Sequence, residues 1–112
     1  MKIAIPVTGG KLSSHFGHCE EFAFVDVDLE KKTIVSIELL PPPAHEPGVF
    51  PGWAAEQGAN LIIGGGMGSR AQDLFREHGI DVMVGAPIDT PEVIIAAYLA
   101  GTIQSGTNAC DH

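Results

Sequence analysis

The chain of 112 residues has few cysteines, few basic residues and no long apolar run. Its two cysteines, Cys19 and Cys110, are too few for a disulfide framework, and they lack the close pairing of a structural zinc motif. Six basic residues stand against fourteen acidic ones, giving a formal charge of −8. This balance disfavours nucleic acids and anionic membranes as partners, because both bind basic surfaces.

Apolar segments of the kind that target or span a membrane are missing as well. The apolar run at residues 1–7 is too short for a signal peptide. Residues 93–110 carry no charge, but glycine, glutamine, serine and asparagine make their second half too polar for a membrane span. We therefore expect a cytoplasmic protein whose thiols stay reduced and free to bind metal.

The composition is that of one packed domain. Hydrophobic residues make up 45% of the chain and charged residues 18%, which argues against disorder. A length of 112 residues fits a single domain, 1–112, with residues 103–112 as a tail.

Apolar and β-branched runs bounded by turn residues predict five strands. They are Lys2–Val7, Glu21–Leu29, Thr33–Leu40, Asn60–Ile63 and Ile80–Gly85. The first and fourth lead into glycine-rich turns, and Pro41-Pro42-Pro43 stops the third.

Three helices are predicted between and after the last strands. Gly52–Gly58 has a short helical pattern. Ser69 to Gln72 has the pattern of a capping box that opens a second helix, which Gly79 ends. The third begins at Thr90-Pro91-Glu92, which supplies a cap, a proline at the first helical position and an acidic residue that suits the helix dipole.

This element order predicts an α/β fold. Strands joined through helices are parallel with right-handed crossovers, whereas hairpins join antiparallel neighbours. The result is a three-layer, mixed five-stranded sheet of the ribonuclease H-like kind, with order 3-2-1-4-5 and strand 2 antiparallel. The loops after strands one, three, four and five (8–20, 41–50, 64–69 and 86–90) then emerge at one carboxyl edge, where open α/β sheets bind ligands.

The loop after the first strand holds the densest group of metal-binding side chains, in the stretch Ser-Ser-His-Phe-Gly-His-Cys-Glu-Glu-Phe at residues 13–22. Thiolate with imidazole suits zinc, copper or iron. A small buried cysteine beside a surface histidine is the alternative interpretation. The third strand's loop adds another histidine, and the tail, if it folds back, adds a cysteine and a histidine. The candidate metal ligands are His15, His18, Cys19, His45, Cys110 and His112.

The loop after the fourth strand is rich in glycine and precedes a helix. Such a segment lets a bulky ligand approach and presents N–H groups to an anion, which an arginine in the first helical turn helps to hold. It matches neither the phosphate-binding P-loop nor the dinucleotide fingerprint. The candidate cofactor-binding residues are Gly64, Gly65, Gly66, Met67, Gly68 and Arg70.

Nothing in the chain indicates an enzyme. A ribonuclease H-type nuclease needs clustered carboxylates for two metal ions, and the first strand carries no acidic residue. No Ser/His/Asp arrangement or pair of catalytic carboxylates appears either.

The chain resembles the dinitrogenase iron–molybdenum cofactor biosynthesis family over nearly its whole length. The resemblance rests on Lys-Ile-Ala-Ile-Pro-Val at residues 2–7, on Ser-x-His-Phe-Gly-His-Cys-x-x-Phe at 13–22, and on Ile-Ile-x-Gly-Gly-Met-Gly at 62–68. The family includes NifX-type carriers, the C-terminal part of the NifB protein, and the small orange protein with a molybdenum–copper sulfide cluster. The resemblance implies a ribonuclease H-like fold and a protein that carries a metal–sulfur cluster or its precursor for cofactor-assembly proteins.

Three hypotheses are consistent with these features. In the first, the chain carries an iron–sulfur, iron–molybdenum or molybdenum–copper sulfide cluster, as a monomer or homodimer. Because a cubane cluster usually takes four thiolates and one chain offers two, either two chains combine or the cluster arrives with its own sulfides. In the second, the same loops hold a single zinc or copper ion. In the third, the glycine-rich loop binds a small anion or nucleotide without metal.

Overall fold

The computed structural model describes residues 1–14, 19–42 and 49–103. Its strands are β1 (Lys2–Thr8), β2 (Lys11–Leu12), β3 (Glu21–Asp28), β4 (Thr33–Leu40), β5 (Leu61–Ile63) and β6 (Asp81–Met83). Its helices are α1 (Val49–Glu56), α2 (Ser69–Glu77) and α3 (Pro91–Ala100).

The strands form one mixed sheet. Its order is β4-β3-β1-β5-β6, and β2 pairs with the end of β1 outside that path. β3 is antiparallel to both of its neighbours, whereas β1, β5 and β6 are parallel to one another. The predicted α/β class and mixed sheet are confirmed, and the ribonuclease H-like assignment stays a prediction.

The sheet has six strands where the sequence predicted five. The extra strand, β2, lies inside the segment predicted as a loop and forms a hairpin with β1 in which Val7 is opposite Leu12. Gly9 and Gly10 make this turn with φ of 61° and 80°, a conformation that glycine adopts without strain. Two residues are too short to show the period-two pattern from which strands are predicted.

Alternating side chains divide the core into two clusters, one on each face of the sheet. Ile3, Ile5 and Val7 of β1 pack with Ile94 and Ile95 of α3. On the opposite face Ala4, Phe22, Phe24 and Ile62 pack with α1 and α2, largely through Phe50, Ala54 and Phe75. A period of two in each strand thus gives three layers.

Helix α1 begins three residues earlier than predicted. Pro51 lies in its first turn, where a missing N–H costs nothing because that position has no acceptor inside the helix. The ring of Trp53 then lies edge-on to Phe22 and Phe24, each with ring centroids 5.3 Å apart. These contacts fix α1 against the first half of β3.

The predicted capping box at the start of α2 is wrong. Gly68, not Ser69, is the N-cap, and no side chain caps the helix. The amide of Gln72 instead donates a 2.9 Å hydrogen bond to the carbonyl of Met67. In contrast, Thr90 caps α3 as predicted, its Oγ1 accepting from the N–H of Val93 at 3.4 Å.

This difference between the two helix starts gives a stability prediction. We expect Thr90→Ala to lower the free energy of unfolding by about 0.5–1 kcal/mol, because the N–H of Val93 loses its acceptor. Ser69→Ala, its matched control, should change it by less than about 0.5 kcal/mol, since Ser69 caps nothing. Urea denaturation of both variants measures this, and an equal loss in the two would contradict the assignment of the caps.

Candidate functional site

The predicted site lies at the carboxyl edge of the sheet. Because β1, β4, β5 and β6 point the same way, the segments after them leave the sheet at one edge. Among the predicted site residues, the structure describes Cys19, the glycine run Gly64–Gly68 and Arg70. The predicted ligands His15, His18, His45, Cys110 and His112 lie outside the described residues.

Cys19 is a half-buried thiol on the α1/α2 side of the sheet. It packs against the apolar cluster that contains Phe22 and Met67. Loss of solvation raises the pKa of Cys19 from 9.0 to about 11, with an opposing main-chain hydrogen bond too weak to restore it. Without a metal, Cys19 is therefore a neutral thiol at pH 7.

The residue after Cys19 fixes that end of the loop to β1, and sequence reasoning missed it. The N–H of Glu20 donates to the carbonyl of Val7 at 2.9 Å, and its carboxylate accepts from the N–H of Gly9 at 2.7 Å. Glu20 is eleven residues from Gly9 in the sequence, and no motif links an acidic residue at that distance to a glycine turn. Glu20 nevertheless sets where Cys19 emerges from the sheet.

The glycine run is explained by close packing and not by left-handed backbone. None of its glycines has a positive φ. A Cβ on Gly65 would lie 3.0 Å from the carbonyl oxygen of Ser13 and 3.2 Å from both Leu12 and Ser14. Gly65 thus lets the run lie directly against the segment that leads into the histidine and cysteine loop.

Main-chain hydrogen bonds join the same loop to the segment after β6. The N–H of Gly64 donates to Met83 at 2.9 Å, and the N–H of Gly85 donates to Gly65 at 2.8 Å. The N–H of Leu12 donates to Asp89 at 2.8 Å. The loops after β1, β5 and β6 are therefore joined into one frame, and the N–H of Gly64 is already used within it.

The end of the run differs from its beginning because it is open. A Cβ on Gly68 would meet no atom within 4 Å. Gly68 leaves the first turn of α2 without a side-chain cap, and the exposed Arg70 lies in that turn. Unpaired N–H groups and the helix dipole make such an end favourable for an anion.

These two parts of the predicted site border the same cluster. Met67, immediately before Gly68, is buried in the cluster against which Cys19 packs. The thiol and the open end of α2 are thus on one side of the sheet and at one edge. A thiol and an uncapped helix start have the chemistry to hold a ligand that has both metal and negative charge.

An apolar groove of about 380 Å³ lies on the other side of the sheet. The loop after β6 and α3 line it through Gly85, Pro87, Val93 and Ala97, with Ile103 at its end. It contains none of the predicted ligands that the structure describes. Within the described ranges, no three His, Cys, Asp or Glu side chains are grouped to hold a metal ion, and no helix is long and apolar enough to cross a membrane.

Comparisons with known proteins agree on one family. The profile of the dinitrogenase iron–molybdenum cofactor family matches residues 1–101. An uncharacterized protein of Methanocaldococcus jannaschii, MJ0580, is 37% identical over 109 residues, which cover 93% of this chain and 90% of that protein.

Solved structures share the fold over almost their full length. The crystal structure of PH0822 has a TM-score of 0.85 at 28% identity, covering 94% of this chain and 96% of that one. The apo form of the orange protein from Desulfovibrio gigas has a TM-score of 0.75 at 20% identity, covering 96% and 93%. At that lower identity the likeness shows the fold alone.

The raised pKa of Cys19 predicts slow alkylation. In a Cys110→Ser variant, iodoacetamide should modify Cys19 at pH 7 about 100-fold more slowly than an ordinary cysteine, because only the thiolate reacts. The rate should rise about tenfold per pH unit until the pH approaches the pKa of about 11. The urea-unfolded chain is the control, and a folded-state rate that levels off below pH 9 would contradict the assignment.

The two ends of the glycine run should respond differently, in free energy of unfolding, to one added methyl group. Gly65→Ala should lower the free energy of unfolding by about 1–3 kcal/mol, because Leu12 and Ser13 must move. Gly68→Ala should lower it by less, at most about 1 kcal/mol, since its Cβ has open space and only the preference of the N-cap for glycine over alanine is lost. Thermal and urea denaturation of the two variants test this, and equal stabilities would refute the packing role of Gly65.

Proposed function

Because this chain belongs to the dinitrogenase iron–molybdenum cofactor family, we propose that it binds a metal–sulfur cluster or its precursor and carries it to cofactor-assembly proteins. The observation that carries the proposal is the common position of Cys19 and the open end of α2. Both border one apolar cluster at the carboxyl edge of the sheet. We propose binding and transfer, with no reaction catalysed on the cluster.

The negative charge of a sulfide-rich cluster is the main obstacle for a chain of charge −8. Local donors must therefore outweigh a repulsive overall field. The first turn of α2 supplies free N–H groups next to Gly68, and Arg70 supplies a positive charge in the same turn. Gly64 is a weaker member of the predicted set, since its N–H donates to Met83.

Cys19 would contribute sulfur once its proton is lost. Metal coordination supplies the free energy for this deprotonation, which burial opposes in the metal-free protein. The cost makes the metal–thiolate bond weaker than it would be at an exposed cysteine. Weaker attachment suits a carrier, which has to give up its cargo.

Further ligands in this proposal come from the histidines and the tail. They are His15, His18, His45, Cys110 and His112, with a reduced cytoplasmic setting that keeps both thiols available. Two cysteines do not complete the four thiolates of a cubane cluster. Either a second chain supplies the missing thiolates, or the cargo arrives with its own sulfide as a preformed iron–sulfur, iron–molybdenum or molybdenum–copper unit.

Anaerobic reconstitution tests the proposal. The protein is incubated with iron and sulfide, and separately with thiomolybdate and copper, then desalted for absorption spectra and metal and sulfide analysis. We expect retained colour with stoichiometric metal and sulfide in one of the two. A colourless protein holding one zinc or copper ion would replace the proposal with a mononuclear site, and no retained metal would leave only an anion-binding loop.

Matched variants locate the bound cluster. Gly68→Ala should leave the chain folded, with at most about 1 kcal/mol of stability lost. It should weaken cluster retention about tenfold or more, because its methyl group occupies the approach to α2. Gly64→Ala is its control, since that Cβ would make only ordinary contacts, at 3.8 Å from Met67 and 4.0 Å from Pro6. If Cys19→Ser combined with His45→Ala left cluster affinity unchanged, those two residues would not be ligands.

A further inference from the structure

Strand β4 forms one edge of the sheet. β3 pairs with it on one side, and the order of the sheet places no strand of the described residues on the other. Its backbone therefore presents N–H and C=O groups that can pair with an additional strand. At eight residues it is as long as β3 and much longer than β6 at the opposite edge.

The side chains of β4 are unusually apolar for an open edge. Val35, Ile37 and Leu39 are 66%, 38% and 52% exposed, and they occupy alternate positions. Glu38 is the only charged residue of the strand. Natural edge strands are usually protected by lysines, prolines, inward-pointing charges or β-bulges. β4 has no lysine, proline or inward-pointing charge, and its one irregularity is the register shift at Val35 in its pairing with β3, which leaves Ser36–Leu40 in regular pairing.

We propose that β4 pairs with β4 of a second copy of this chain, forming a two-fold symmetric dimer with one continuous sheet. An isologous interface requires a self-complementary patch. An antiparallel pairing centred on Ile37 meets this requirement, because it sets Ile37 opposite Ile37 and Val35 opposite Leu39. All three exposed apolar side chains thereby meet apolar partners on one face.

Charge selects the same register. With Ile37 at the centre, Glu38 faces Ser36, whose hydroxyl can donate to the carboxylate. A shift that brings Leu39 opposite Ile37 would set Glu38 opposite Glu38, and like charges directly opposite are destabilising. The one acidic residue of the strand therefore disfavours the neighbouring alternative.

The dimer leaves the proposed cluster sites separate. In an antiparallel pair the two β4 strands run in opposite directions, so the two carboxyl edges face away from each other. Each chain then binds its own cargo. The dimer and the cluster-carrying role are independent, and failure of one does not affect the other.

Overall charge opposes this association and provides a signature for it. Each chain carries −8, so two chains repel at long range. Salt screens this repulsion and leaves the apolar and main-chain contacts in place. Dimerisation through β4 therefore strengthens with ionic strength, whereas an interface formed by opposite charges would weaken.

Sedimentation velocity on the full-length chain tests the proposal, from about 1 μM to about 1 mM protein, because a small interface is expected to associate in the micromolar range or weaker. We expect a concentration-dependent dimer whose dissociation constant falls severalfold between about 0.05 and about 0.5 M NaCl. A monomer throughout, or association that weakens with salt, would overturn it.

Three variants that each add one positive charge identify the surface. Ile37→Lys should weaken dimerisation at least tenfold, because two lysines then meet at the two-fold axis. Ser36→Lys should strengthen it, since each lysine faces Glu38 of the other copy. Val93→Lys is the control for net charge, at a site on α3 that is 49% exposed and outside β4. It should strengthen dimerisation less than Ser36→Lys does, because it reduces the overall repulsion without facing Glu38.

The two opposite effects keep the test decisive if one variant folds poorly. Circular dichroism confirms folding, and hydrogen exchange on the parent chain gives a further readout: amides within residues 34–40 should gain protection as concentration rises. A dimer that resists Ile37→Lys, or in which Ser36→Lys is no stronger than Val93→Lys, would show that copies meet elsewhere.

Discussion

A proline in the central strand determines how the sheet opens into a site. Pro6 lies between the part of β1 that pairs with β5 (Ile3 and Ala4) and the part that pairs with β2. Its carbonyl accepts from the N–H of Ser13 at 2.8 Å, and in an extended strand the nitrogen faces the same side. Because proline has no N–H to donate there, the hydrogen-bonded pairing of β1 with β5 does not extend past it. The glycine run can therefore leave the sheet.

The main chain of the glycine run fills the space next to the end of the β1–β5 pairing, where there is little room for side chains. Gly65 lies so close to Leu12 and Ser13 that an added methyl group would force them to move. Bonds from Gly85 to Gly65 and from Leu12 to Asp89 then close the frame. Cys19 is held beside it by Glu20. A rigid main-chain base thereby supports the loops that carry the candidate ligands.

Local sequence signals predicted the elements that have strong local causes. Apolar and β-branched runs bounded by turn residues predicted β1, β3 and β4, and Thr90-Pro91-Glu92 predicted the start of α3. They did not give β2, which is too short to have a pattern, or the N-cap of α2, where Ser69 fits the motif one residue too late. The packing of Gly65 could not be predicted because its neighbours lie about fifty residues away in the chain. Of the candidate metal ligands, only Cys19 lies within the described residues, and the whole metal set, Cys19 included, stays a prediction.

The missing cap of α2 has a thermodynamic meaning for the whole molecule. A serine or aspartate at position 68 would accept a hydrogen bond from one first-turn N–H, and it would stabilise the helix by a few tenths of a kcal/mol relative to glycine. The chain forgoes this gain at a helix end that lies on the same face of the sheet as Cys19. A side-chain cap and a bound anion compete for the same N–H groups, so the protein with its ligand should be more stable than the protein without it. In the proposed complex, the anionic ligand would act as the N-cap that the sequence leaves out.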